Sequence, residues 1–180
     1  SLLMGLFLAT LKGRGVLDRA ILFHLMCLSC VWSTCPECWD SPKEAFCLWL
    51  AASKKCLTLD RAPFLGRGQL CPFCKAEIES NEHLFFKCRI TLRAWFAIRD
   101  WISFAKQNIS LQRTFNSLVH HSATIGFLGK QRCLALAETV YCVWMVRNNI
   151  LFDGHCFHLL DLIEKIKFRI MCLAHLMHLY

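Results

Sequence analysis

Residues 71–88 read CPFCKAEIESNEHLFFKC, and this stretch decides how the whole chain is interpreted. It contains the pattern Cys71-x2-Cys74-x8-His83-x4-Cys88. Two thiolates two residues apart can close a tight turn around one ion, and a later His and Cys complete a set of four soft or borderline ligands. The spacing therefore predicts one structural Zn²⁺ bound by Cys71, Cys74, His83 and Cys88.

The same four ligands predict the role of the ion and a local break in structure. Protein side chains fill every position, so none is left for an activated water, and the predicted role is structural rather than hydrolytic. His83 and Cys88 are five residues apart, which is about 140° around a regular helix. Because both cannot face one ion from an undistorted helix, we expect a break between them and a long helix starting near Cys88.

The alternative is that four unconnected residues align by chance in a chain with 13 cysteines. Two further C-x-x-C pairs, Cys27/Cys30 and Cys35/Cys38, lack a compact His or Cys pair nearby, and we interpret them as non-sites. An odd number of cysteines without a secretory signal argues against a disulfide framework and for a reducing, intracellular setting, nucleus or cytoplasm. We expect most other cysteines to be buried free thiols, namely Cys27, Cys47, Cys56, Cys133, Cys142, Cys156 and Cys172.

The sequence around the motif predicts helices. Residues 43–57 place Ala45, Leu48, Trp49 and Ala52 on one helical face. Three later segments also have helical character: 80–104, 131–152 (apolar almost all round, interrupted by Glu138 and Arg147), and the amphipathic 157–179. A short helix beginning after Thr58 should stop by Gly66 or Gly68.

No strand alternation persists, so the predicted fold is mainly α, a small helical Cys-Cys-His-Cys zinc module with flanking helices. The predicted organisation is an apolar N-terminal flank, a zinc-binding domain, a linker and a C-terminal helical region, at 1–41, 42–104, 105–130 and 131–180.

Composition narrows the function. The AVILMFWYC residues make up 56% of the chain, which excludes intrinsic disorder and a highly charged coiled coil. The net charge of +8 favours acidic partners such as nucleic acid, although the basic residues are spread along the chain. The longest uncharged run, residues 20–36, is short for a membrane span, so membrane association is the least favoured interpretation.

Catalytic motifs are missing from the sequence. We find no paired-aspartate polymerase motif, no spaced carboxylates for two-metal chemistry and no P-loop, so we predict no enzymatic activity. Asp100, Asp153, Asp161 and the glutamates are interpreted as solvated charges. The histidine pairs are interpreted as surface or partly buried groups: His120/His121, His155/His158 and His175/His178.

Residues 42–101 resemble the zinc-binding domain that follows the reverse transcriptase in plant non-LTR (LINE-type) retrotransposons. The matching residues are Pro42, Lys43, Phe46, Trp49, Leu50, Ala51, Leu57, Thr58, Asp60, Arg61, Cys71, Pro72, Cys74, Glu79, His83, Leu84, Phe85, Cys88 and Trp95. Downstream, Trp144, Arg147, Asn148 and Phe152 resemble the W-x-x-R-N-x-x-x-F segment found in such proteins.

The resemblance implies a noncatalytic module that contacts RNA or DNA, or the rest of a reverse transcriptase. Lys87, Arg89 and Arg93 lie among aromatic residues, a pattern that suits phosphate contact and base stacking. The interpretation that we favour for this pattern is that the aromatic residues belong to the core and the basic residues form a solvated face. The alternative is a zinc-stabilised structural or protein-interaction remnant without nucleic-acid binding. We expect a piece of a longer polyprotein, whose apolar flanks at 1–34 and 131–180 pack on a neighbouring protein.

Overall fold

The computed structural model describes residues 42–66, 68–102 and 127–178. The predictions for the N-terminal flank, the pairs Cys27/Cys30 and Cys35/Cys38, His120/His121 and most of the 105–130 linker therefore lie outside the described residues. Within the described ranges, no helix has both the length and the apolar character that crossing a membrane requires.

The described chain is mainly helical, as the sequence predicts. Its four α-helices are α1 (Pro42–Ala52), α2 (Arg89–Trp101), α3 (Phe127–Phe152) and α4 (Leu159–His178). Between α1 and α2 lie two 3₁₀ turns and one π turn, at Leu59–Arg61, Pro63–Leu65 and His83–Lys87. The β pairing in the described residues is a single antiparallel bridge between Leu70 and Ile78.

Helix α1 is shorter than predicted, and it buries a different face. Its buried side chains are Glu44, Cys47, Leu50 and Ala51, whereas Leu48, Trp49 and Ala52 are only half-buried. The predicted face was wrong, because the hydrophobic pattern placed the charged Glu44 in solvent whereas the structure buries it. The helix ends at Ala52, and Lys54 takes the left-handed conformation (φ 54°) that often follows a helix C-terminus.

The segment after α1 forms two short turns instead of the one short helix predicted. Thr58 precedes the first turn, and its hydroxyl donates to a carboxylate oxygen of Asp60 at 2.5 Å. The second turn begins at Pro63 and ends, as predicted, at Gly66, whose φ of 62° favours glycine.

Helix α3 supplies much of the core and packs against α1, α2 and α4. Its buried apolar residues are Leu134, Ala135, Leu136, Ala137, Val140, Cys142 and Val143. The chain itself therefore covers much of this apolar helix, and the predicted contact of the 131–180 flank with a neighbouring protein stays a prediction.

Helix α4 follows the predicted amphipathic pattern on its inner face. Leu162, Ile163, Ile166 and Ile170 are buried at the predicted spacing. Its outer face is also apolar, with Leu160, Phe168 and Met171 each more than half exposed. This face is one part of the apolar surplus that the described chain leaves in solvent; Phe64, Leu70 and Ile78 are also more than half exposed.

Candidate metal centre

Cys71 and Cys74 lie on one tight turn between the two bridged residues. The backbone N–H of Cys71 donates to the carbonyl of Glu77 (2.8 Å), and the N–H of Lys75 donates to the carbonyl of Cys71 (2.8 Å). Lys75 adopts a positive φ of 54°, which is uncommon for a non-glycine residue and reverses the chain directly after Cys74. The segment 70–78, called the knuckle below, thereby brings both thiols to one side.

His83 and Cys88 are brought together by the π turn. The N–H of Cys88 donates to the carbonyl of His83 at 2.6 Å, five residues back. This i→i+5 closure places the two residues one above the other, which a regular helix could not do. Cys88 itself is extended (φ −60°, ψ 123°), and α2 begins at Arg89. The predicted break and helix start are both confirmed.

The four ligand atoms form one buried group and lie within 4.8 Å of one another. The Cys71 and Cys88 sulfurs are 3.9 Å apart, and Nε2 of His83 is 3.3 Å from the Cys74 sulfur. In a tetrahedral site with Zn–S bonds of about 2.3 Å, neighbouring sulfurs stand about 3.8 Å apart. The arrangement therefore fits a tetrahedral Zn²⁺ with small adjustments.

The surroundings of the cluster lower the pKa of the Cys88 thiol and so favour its thiolate form. A hydrogen bond from the Cys71 thiol, together with the backbone N–H groups of Thr91 and Ile90 at the start of α2, lowers the pKa of Cys88 to about 5. The same Cys71–Cys88 hydrogen bond, with burial, raises the pKa of Cys71. Zinc binding at this pair would therefore displace the proton of the Cys71 thiol.

Glu77 lies behind the imidazole of His83. Nδ1 of His83 is 3.1 Å from a carboxylate oxygen of Glu77, although the two atoms are not aligned as a hydrogen bond. Nε2 faces the Cys74 sulfur, so Nδ1 is the ring nitrogen at which a second group, here Glu77, can orient the imidazole. Glu77 is itself largely exposed, so a small rotation of its carboxylate is enough to align the pair.

A buried ion pair stands beside the knuckle, and sequence reasoning missed it. Glu79 and Arg147 are both buried, and two parallel hydrogen bonds join them at 2.8 and 2.6 Å. Glu138 and Glu44 are also buried, and both pair with Arg169. The interpretation of the glutamates as solvated charges was wrong for these three. The available signal was the presence of Glu138 and Arg147 within an otherwise apolar helix.

The predicted nucleic-acid residues lie at the end of the π turn (Lys87) and in the first two turns of α2 (Arg89 and Arg93). Arg89 and Arg93 are exposed, one turn apart, and no described residue forms an ion pair with them. Lys87 is exposed but pairs with Glu82 at 2.9 Å. Phe96 continues the same face, 39% exposed, with the Arg99 guanidinium 4.9 Å from its ring centre. The aromatics Phe85 and Trp95, by contrast, are buried in the core.

The remaining predicted features divide between core and surface. Cys47, Cys56 and Cys142 are buried free thiols, and burial raises the pKa of each. Cys133 is half-buried, whereas Cys156 and Cys172 are exposed, so the prediction of burial was wrong for these two. His155 and His158 are exposed, as expected. Among the described residues, the Cys71 cluster is the one group of metal-ligating side chains close enough to hold an ion.

Residues 22–95 match the family model described as zinc-binding in reverse transcriptase. The match includes all four candidate ligands and α1, and it confirms the resemblance to a zinc-binding domain of reverse transcriptases; the plant and LINE-type origin stays a prediction. The match ends within α2, before α3 and α4. No curated protein and no solved structure matches the chain significantly.

Proposed function

We propose that Cys71, Cys74, His83 and Cys88 bind one Zn²⁺ and that the ion is a structural cross-link. The observation that carries the proposal is the burial of four donor atoms within 4.8 Å of one another. Three thiolates and one imidazole are a typical ligand set of structural zinc sites. The ion would tie the knuckle to the start of α2, two segments joined by few backbone hydrogen bonds.

The arrangement supports a noncatalytic role. Each of the four residues is at most 9% exposed, so the cluster is largely shielded from solvent. A zinc ion with four protein ligands lacks the open position that hydrolytic chemistry needs.

Metal analysis of purified protein tests the zinc site. The wild type, purified under reducing conditions, should contain one zinc per chain, and Cys88→Ser should lose it. Cys156→Ser is the matched control, because Cys156 is exposed outside the cluster, and it should keep the ion. Metal-free wild type, or equal zinc in both variants, would refute the proposal.

We further propose that the module originates from a plant LINE-type retroelement and contacts RNA or DNA through α2. Arg89 and Arg93 supply two exposed positive charges on one face, and Phe96 adds a ring on which a base can stack. Lys87 is a weaker candidate because Glu82 already neutralises it. A single-stranded nucleic acid suits this pairing of charge and ring.

Binding to single-stranded RNA, measured against salt concentration, tests the nucleic-acid contact. Arg89→Ala/Arg93→Ala should weaken binding and lower the slope of log affinity against log salt by roughly 1 to 2. A double variant of the exposed lysines Lys43 and Lys165 removes the same charge from α1 and α4. Equal losses in the two double variants would show that net charge alone binds RNA, and no binding at low salt would refute the contact.

A second candidate function is protein interaction through the outer face of α4. Leu160, Phe168 and Met171 share one face and are 73%, 64% and 51% exposed. If this face binds protein, Phe168→Glu should abolish self-association or binding to a reverse transcriptase domain in sedimentation experiments. Phe64→Glu, at a 74% exposed phenylalanine outside α4, should leave it unchanged.

A further inference from the structure

The family match ends at residue 95, yet residues from α3 onward contact the candidate zinc site at three places. We propose that α3 and the loop after it are part of the metal-binding unit, with Arg147 as a positioning residue. In this proposal Arg147 holds Glu79, and Glu79 holds the base of the knuckle that carries Cys71 and Cys74. The proposal rests on the zinc binding proposed above.

Glu79 is the residue at which the knuckle is fixed to the rest of the protein. Its backbone N–H donates to the carbonyl of Gln69 at 2.8 Å, one residue outside the Leu70–Ile78 bridge. Its carbonyl accepts from the N–H of Asp60 at 3.2 Å, and its carboxylate accepts from the N–H of Leu59 at 2.7 Å. The position of Glu79 therefore sets where the knuckle begins and ends.

Arg147 is the group that neutralises Glu79. Its guanidinium binds both carboxylate oxygens, rests 4.8 Å from the ring centre of Trp144 and donates to the side-chain oxygen of Asn148 at 2.9 Å. A buried carboxylate without a partner is strongly disfavoured. The Glu79 conformation seen here therefore requires α3 to be docked.

Aromatic contacts add two further links between the ligand-bearing segments and the C-terminal region. Phe85, in the π turn between His83 and Cys88, has its ring centre 6.3 Å from that of Trp144 on α3. Phe73, between Cys71 and Cys74, meets Phe157 edge-on at 4.9 Å, in the loop before α4. Both halves of the ligand set are thus supported by residues outside the matched segment.

Because the same contacts place the ligands and dock α3, zinc binding and α3 packing should stabilise each other, and the coupling should be reciprocal. Loss of the Arg147 contact should weaken zinc binding, and loss of zinc should loosen α3. A purely structural role of Arg147 would lower the stability of the fold without a specific effect on zinc affinity.

Zinc affinity, measured by competition with a chelator, tests the first half of the coupling. Arg147→Met should bind zinc at least about tenfold more weakly than the wild type, the effect typical of groups that orient metal ligands. Arg169→Met is the matched control, since it removes the partner of two other buried carboxylates, Glu44 and Glu138, without touching the knuckle. Equal affinities of the two variants, under conditions where both are folded, would overturn the proposal.

Amide hydrogen exchange of the wild type tests the second half and needs no variant to fold. Exchange in α3 around Arg147 should slow when zinc is added. Unchanged α3 exchange in a protein that binds one zinc would overturn this inference alone. Absence of zinc from the wild type would overturn the proposed function as well, so the two failures are distinguishable.

Discussion

At the scale of single residues, the centre depends on how the chain turns at two places. Lys75 reverses the knuckle with a positive φ, and the π turn replaces a regular helix between His83 and Cys88. The sequence spacing was enough to name the candidate ligands and to require a break, because five residues do not bring two side chains to one helical face. It could not name a π turn, since other irregular backbones also satisfy that requirement.

Zinc affinity should fall as the pH is lowered from about 7.5. The Cys88 sulfur, as acceptor, and burial raise the pKa of Cys71, so that thiol keeps its proton at neutral pH until zinc displaces it. The affinity should therefore drop at least tenfold for each pH unit, because zinc must displace at least the proton of Cys71. Below about pH 5 the drop should steepen, because Cys88 also becomes protonated there. Chelator competition over this range measures the slope, and an affinity independent of pH would contradict the assigned thiols.

Glu77→Gln should weaken zinc binding by up to about tenfold, because the neutral amide no longer orients and polarises the His83 ring from behind. Glu82→Gln is the control, since that carboxylate pairs with Lys54 and Lys87 instead. Isothermal titration of zinc into both variants provides the comparison. Equal affinities would show that Glu77 is only a neighbour of the ring.

At the scale of helices, ionic contacts decide which faces are buried. Helix α1 buries Glu44 because Arg169, 125 residues later, reaches it from α4. Helix α3 buries Glu138 beside the same guanidinium and Arg147 beside Glu79. Hydrophobic periodicity could not identify these faces, because it treats every charged residue as exposed. It is a local signal and contains no information about an ion-pair partner that is distant in sequence.

Arg169→Met should cost about 3 kcal/mol of unfolding free energy, because it leaves the buried carboxylates of Glu44 and Glu138 without their cation. Urea unfolding of the zinc-loaded protein measures this loss. Arg93→Met, at an exposed position of α2, should change the unfolding free energy by less than about 0.5 kcal/mol. A similarly small loss in Arg169→Met would mean that the ion pairs of Arg169 with Glu44 and Glu138 contribute no more to the free energy of unfolding than a surface pair does.

At the scale of the whole molecule, the described helices form a unit larger than the recognisable zinc motif. The sequence predicted the helical class, the cluster of four candidate ligands and the positions of α3 and α4, because each follows from a local pattern. It did not predict that α3 covers α1, nor that Glu79 pairs with Arg147, 68 residues later. Those contacts depend on tertiary packing, for which one sequence carries only the weak signal of charges inside an apolar helix.

A chain truncated after residue 104 should fail to fold cooperatively, even with zinc. Without α3, the α1 residues Cys47, Leu50 and Ala51 lose the surface that buries them, and the Glu79 carboxylate loses its partner. Thermal unfolding followed by near-ultraviolet circular dichroism, which reports on the fully buried Trp95, compares this chain with the full one. A sharp unfolding transition in the truncated chain would contradict the conclusion that α3 and α4 are needed for the zinc module to fold.

In the proposed site, three cysteines and one histidine enclose a zinc ion within a helical module. X-ray absorption at the zinc edge of the purified, reduced protein tests this most directly, because it counts the ligand types around the metal. We predict three sulfurs at about 2.3 Å and one nitrogen at about 2.0–2.1 Å, with no water. A shell with fewer than three sulfurs, or with a water or carboxylate oxygen, would contradict the closed site formed by Cys71, Cys74, His83 and Cys88.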